Sequence, residues 1–281
     1  MRRLSGYLMT LLVACGLSQA THAAERVVSI DGALTEIVYA LGAQDRLVAV
    51  DTTSRYPKAA LDLPQVGYMR QLSAEGILAL HPDLVIASDD AGPETVFAQL
   101  QEAGIRVRRI AAEDSVAGVQ ARIIAVGETL NLTEEARRLA ASVGERSQAA
   151  LARIPDAHPD TLFLLGAGNR GLMAAGQKTG AQALLDMMGA SNVFTHRGYK
   201  PVSAEGALQA APQVVLVGHT GDDAGDQIER TLAMTPAASS GRIHHVDVGL
   251  VLGFGPRLPE VLELLIPLLY PTSGTVEVAG E

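Results

Sequence analysis

The stretch GYMRQLSAEGILALHPDLVIAS, residues 67–88, returns as GYKPVSAEGALQAAPQVVLVGH, residues 198–219. From Ser73 and Ser203 onward the copies align without a gap. SAEG is intact, Leu78 matches Leu208, and Pro82 matches Pro212. Each copy then enters a short apolar run of β type, residues 84–87 and 214–217. The offset of about 130 residues is far longer than the ~20 to 50 residues of a solenoid repeat, so the pattern predicts two similar lobes.

Working outward, the alternation continues on both sides of each copy. Residues 27–30, 47–50, 84–87 and 107–110 read as buried strands, with helices between them at 34–41, 73–80 and 95–103. The second half repeats the scheme, with strands at 161–165, 214–217 and 243–246 and helices at 180–188, 203–211 and 259–269. This is βαβ logic. It predicts an α/β fold of two lobes, each a mostly parallel sheet flanked by helices. Between the halves, TEEARRLAASVGERSQAALARIP keeps helical spacing from Ala136 to Ile154. Thr133 is placed to cap that helix, and Glu134 and Glu135 suit its positive end. The division is therefore residues 24–132 for the N-terminal lobe, 133–155 for one long backbone helix, and 156–281 for the C-terminal lobe.

Composition narrows the function. The chain has 281 residues, 48% of them hydrophobic and 19% charged, enough to bury a substantial core. Aromatic residues are only 4% and Trp is absent, which argues against stacking platforms for single-stranded nucleic acid. A formal charge of −9 gives nucleic-acid binding no support.

Residues 1–23 read as an export signal peptide, with Arg2 and Arg3 ahead of an apolar run and Thr21-His22-Ala23 as a small-x-small cleavage site. Its removal takes the charge from −9 to −11, since the segment carries two arginines and no acid. The expected destination is the periplasm. Leu12-Val13-Ala14-Cys15 also resembles a lipoprotein box, so acylation at Cys15 is the alternative.

The two SAEG segments, the opening VVSIDGALTEIVYALGAQDRLVAV and the joining helix resemble the helix-backbone periplasmic binding proteins, which serve ABC importers of cobalamin, siderophores and haem. More narrowly, RYPKAALDLPQVGYMRQLSAEGILALHPDLVIAS and GQKTGAQALLDMMGASNVF are similar to the haem-binding members. The resemblance implies a monomeric protein that carries haem b as cargo, uses no catalytic cofactor, and delivers it to a permease dimer with its ATPase. It also implies that Tyr68 is the axial ligand of the haem iron. A phenolate is a hard anionic donor that suits ferric iron, and Arg70, two residues on, is placed to favour it. Tyr199 stands at the matching point of the second lobe, one residue closer to its SAEG. His196 and Met173 are the candidates for a sixth ligand. Haem propionates require local positive charge, for which Arg70, Arg170, Lys178, Lys200 and Arg257 are the candidates in loop-like segments. Glu75 and Glu205, the matched acids of the repeat, are expected in first helical turns, and the resemblance implies that each docks onto the permease.

Other readings have less behind them. A ferric siderophore or cobalamin is the alternative cargo. A secreted α/β enzyme is the rival of a different class, and no G-x-S-x-G, P-loop or H-E-x-x-H motif supports it. GAGNRG, residues 166–171, fits G-x-G-x-x-G, yet LMAAGQKTG follows where a crossover helix should begin. His244 and His245 are neighbours in a predicted strand and point to opposite faces, so a shared zinc site is disfavoured.

Overall fold

The computed structural model describes residues 26–166, 171–219 and 225–271, so the export segment, Cys15 and Arg170 lie outside the described residues. Its first sheet contains β1 (Val27–Ile30), β2 (Leu47–Val50), β3 (Leu84–Ser88) and β4 (Arg106–Ile110) in the order β2-β1-β3-β4, with every pair parallel. Helices α1 (Gly32–Ala40), α2 (Ala74–Leu78), α3 (Glu94–Glu102) and α4 (Val116–Thr129) accompany it. The near-continuous apolar runs of β1, β2 and β3 follow from burial on both faces, whereas the edge strand β4, RVRRI, is largely exposed. Alternate residues feed different cores: Leu84 and Ile86 pack toward α4 and the joining helix, whereas Val85 and Ala87 pack with Val96 and Phe97 of α3.

The joining helix α5 runs over Thr133–Leu151, 19 residues, or about 28 Å at 1.5 Å per residue. Two details differ from expectation. Thr133 is the first helical residue and Leu132 takes the cap position with no side-chain bond. The helix also stops before Ile154, because Arg153 and Ile154 donate to carbonyls only three residues back, closing it with a tighter turn. Its buried face is built from small residues, among them Ala136, Ala140, Gly144 and Ser147. That face allows close packing on α4, a helix not anticipated in the sequence. A Cβ at Gly127 of α4 would collide with the Cβ of Ala136, so this crossing requires glycine.

Beyond α5 come β5 (Asp160–Gly166), β6 (Leu172–Ala175), β7 (Ser191–Asn192), β8 (Tyr199–Pro201), β9 (Val214–His219) and β10 (Ile243–Asp247). They form the order β10-β9-β5-β6-β8, with β7 beside β5. Helices α6 (Gly180–Met187), α7 (Ala204–Ala210), α8 (Gly225–Leu232), α9 (Pro236–Ser239), α10 (Val248–Val251) and α11 (Leu258–Leu269) surround it. The expectation of a mostly parallel second sheet holds for β10, β9, β5 and β7, which pair in parallel, and one edge departs from it. β6 is antiparallel to both β5 and β8, so this sheet is mixed. GAGNRG thus joins two antiparallel strands and opens no crossover helix.

One apolar core runs from Leu34 and Ile37 of α1, through Ala140 and Val143 of α5, to Leu262 and Leu265 of α11, and so underlies both sheets. Among the described residues no helix is long and apolar enough to cross a membrane.

Candidate functional site

The chain leaves β1, β2 and β3 at the carboxyl edge of the first sheet, where its polar groups gather. Asp51 is the hub. Its Oδ1 accepts from the Asp31 amide (2.9 Å) and the Ser54 hydroxyl (2.9 Å), and its Oδ2 accepts from the Thr53 amide (3.0 Å) and hydroxyl (2.7 Å). Asp31 caps α1 through the Ala33 amide (2.7 Å). The second sheet reaches this edge through the segment after β10. Arg122 of α4 donates to the Phe254 carbonyl (2.8 Å), and Arg257 donates through Nε to Glu36 Oε2 (2.8 Å) and through its terminal nitrogen to Oε1 (2.5 Å). These bonds join the segment after β10 to α1 and α4 beside the carboxyl edge of the first sheet, and α/β proteins bind ligands outside the carboxyl ends of their strands.

Burial pushes the Asp31 carboxyl up from its ordinary 3.8, aided by the nearby Asp51 charge and only partly offset by Arg122. A raised carboxyl binds its proton more tightly in the folded state, so stability falls as pH climbs from 3.8 through the raised value. Asp31→Asn keeps the acceptor for Ala33 and removes the buried charge. It is expected to melt higher than wild type at pH 7, with the gain vanishing below pH 3.8. A lower melting temperature at pH 7 would mean that attraction to Arg122 outweighs burial.

Tyr68 is mounted on this edge from both sides. The Gly67 carbonyl accepts from the Thr52 amide (3.0 Å), just past β2, and the Met69 carbonyl accepts from the Gly92 amide (2.8 Å), just past β3. Met69 and Leu72 are buried in the core, yet the Tyr68 side chain between these anchors is 45% exposed. Gly67 has φ +99°, a backbone state that favours glycine. The Arg70 guanidinium pairs with Asp90 at 3.3 Å, with both groups largely exposed.

The remaining candidates divide. Tyr199 lies in β8, half-buried, and burial raises its pKa, partly offset by Thr179 and the Ala181 backbone at the start of α6. His196 is half-buried with Nε2 3.1 Å from the Ala174 carbonyl, so that nitrogen donates a proton and offers no lone pair to a metal. Met173 is half-buried in β6, paired with Leu165 and Pro201. Lys178 and Lys200 are exposed and form no ion pair among the described residues. Arg257 is committed to Glu36 and also lies 3.7 Å over the Tyr56 ring. Glu75 and Glu205 are exposed in the first turns of α2 and α7, also without ion pairs among the described residues. Ser203 caps its helix through the Gly206 amide (3.1 Å), whereas Ser73 makes no side-chain cap bond.

Sequence reasoning missed several residues here. Asp51-Thr52-Thr53-Ser54, an acid followed by hydroxyls directly after a strand, was the available signal for the hub. His245 does not share a face with His244; it meets His219 diagonally across the β9–β10 pair, where the register sets His245 opposite Val217, with ring nitrogens 2.5 Å apart. Among the described residues no three His, Cys, Asp or Glu converge to hold a metal ion. A cavity of about 960 Å³ lies at the opposite, amino edge of the second sheet, lined by His158, Gln213, Arg242 and Pro267, and touches none of the candidates.

Comparison with known proteins bears on the fold as a whole. The periplasmic heme-binding protein RhuT from Roseiflexus sp. RS-1 superposes with a TM-score of 0.82 at 36% identity, covering 88% of this chain and 98% of that one. The periplasmic heme-binding protein BhuT, solved with two hemes, superposes with a TM-score of 0.77 at 37% identity over 87% and 97%. The vitamin B12-binding protein of Yersinia pestis is 28% identical over 206 residues, 73% of each chain. The periplasmic binding protein pattern matches residues 27–248, across both sheets, and the chain belongs to that family.

Proposed function

We propose that this protein captures haem outside the carboxyl edge of the first sheet, with Tyr68 as the iron ligand, and delivers it to an ABC importer in the inner membrane. The observation that carries the proposal is the mount of Tyr68, an exposed phenol held by backbone bonds on both sides at the edge where ligands enter. Little conformational entropy remains to be lost there when the ring is drawn to a metal. A phenolate donor suits ferric iron. Lys178 and Lys200, exposed and without an ion pair among the described residues, supply the positive charge that the propionates require. Similarity to heme-binding proteins at 36% and 37% identity supports this cargo. Export to the periplasm through residues 1–23, as a soluble protein or anchored at Cys15, belongs to the same reading, and so does docking on the permease through Glu75 and Glu205.

Cobalamin is the second reading, favoured by the vitamin B12-binding relative. Parallel titrations with hemin and cyanocobalamin separate the two. The mature chain should bind ferric hemin with tyrosinate charge-transfer bands. Tyr68→Phe, which keeps the ring and removes the donor oxygen, should lose those bands and weaken binding about tenfold or more, or at least 1.4 kcal/mol. A hemin spectrum unaltered in Tyr68→Phe would reject the ligand assignment, and tight binding of cyanocobalamin with none of hemin would reject the cargo.

A further inference from the structure

We infer that Arg109 is a positioning residue for Tyr68, acting through one peptide plane; this rests on the haem reading above. Arg109 belongs to β4, and its side chain is only 22% exposed. One terminal nitrogen donates to the carbonyls of Ser88 (3.1 Å), Asp89 (2.9 Å) and Ala91 (3.1 Å), and the other reaches Glu94 at 2.7 Å. The guanidinium carbon sits 4.1 Å over the Phe97 ring. The turn after β3 is thus wrapped around a cation, and three carbonyl dipoles that would otherwise repel one another are held inward.

Turning those carbonyls inward has a consequence on the other side. The peptide between Ala91 and Gly92 points its oxygen at Arg109, so its N–H points away, and that N–H donates to the Met69 carbonyl at 2.8 Å. The Gly92 carbonyl accepts in turn from the Leu72 amide at 3.1 Å, closing a two-bond clamp on residues 69–72. Asp90, the partner of Arg70, is carried on the same turn. Arg109 therefore orients the peptide plane that fastens the residue next to Tyr68, without being placed to touch the ligand. Lysine cannot reproduce the arrangement, because its compact ammonium lacks the planar fork that reaches three carbonyls and a carboxylate together.

The experiment compares wild type, Arg109→Gln and Arg109→Lys for hemin dissociation rate, charge-transfer band position, melting temperature, and hydrogen exchange of the Gly92 amide in the ligand-free protein. Both variants should exchange Gly92 faster, shift or broaden the band, and release hemin about tenfold faster, the low end for groups that orient a metal ligand. Arg109→Lys, which keeps the charge and most of the stem, carries the test if Arg109→Gln does not fold. In a Tyr68→Phe background, Arg109→Lys should have no further effect on release. A folded variant that melts lower but keeps the wild-type band, release rate and Gly92 protection would overturn the inference. If wild type binds no hemin while Gly92 exchange still rises in the variants, the haem reading fails and the mount itself stands.

Discussion

Arg257→Ala is expected to cost about 3 to 5 kcal/mol of unfolding free energy at pH 7, the usual penalty for leaving one partner of a buried ion pair alone. Glu36 is 9% exposed and Arg257 21%, and two charge-assisted bonds join them. The groups respond differently to their setting. Burial dominates at Glu36 and raises its carboxyl above the ordinary 4.5 despite the guanidinium. At the more exposed Arg257 burial works against the charge but is outweighed by the hydrogen bond and charge of Glu36 with the smaller pull of Tyr56 and Glu260, so the proton is held tighter. Removing Arg257 deletes the two influences that lower the Glu36 pKa, its hydrogen bond and its charge, so that carboxyl rises further. A raised carboxyl favours the fold at low pH, and that contribution is lost as pH climbs from 4.5 through the raised value. The variant should therefore be weakest near neutrality and regain stability toward pH 4.5. Urea unfolding at pH 7 and pH 5 measures both effects. A loss below about 1 kcal/mol at pH 7 would class the pair with ordinary surface bridges. The pair ties α1 to the start of α11, beside the Arg122 bond to Phe254, so the variant should also loosen the hold of the segment after β10 on α1 and α4.

Reversing both repeat acids, Glu75→Lys with Glu205→Lys, should leave hemin binding near wild type and reduce uptake by the importer at least about tenfold, since like charges brought together at an interface cost several kcal/mol. Each glutamate is exposed at the start of its helix and unpaired among the described residues, so its charge is available to a partner. The local cost is smaller. Each reversal forfeits about 0.3 to 1 kcal/mol of interaction with the helix dipole. Lobe one should bear that loss less well, because Ser73 provides no side-chain cap while Ser203 does. A thermal melt has to precede the uptake assay. Full uptake by a folded double variant would leave these acids with only their helix-terminal role.

Much of this protein was legible in the chain itself. Strands β1 to β3 are buried almost throughout, so they appear as nearly unbroken apolar runs, and residues 27–30 and 47–50 match the observed bounds without adjustment. The 3.6-residue period of the joining helix and the repeated SAEG were equally direct, and together with the longer resemblance they pointed to the family that the comparisons identify. Signals of this kind are local: they arise from burial periodicity within one element. Tertiary structure decided what depends on distant partners. β6 and β8 are too short to carry a period, and only their pairing, β6 on β5 and β8 on β6, shows that this edge of the second sheet turns antiparallel. Glu36 and Arg257 are 221 positions apart, and neither signals the other in the sequence. Arg109 reads as one basic residue among three in RVRRI until the turn after β3 closes around it. Tyr68 could be singled out from the sequence, but its rigid mount rests on hydrogen bonds from the ends of two different strands, which come together only when the sheet forms.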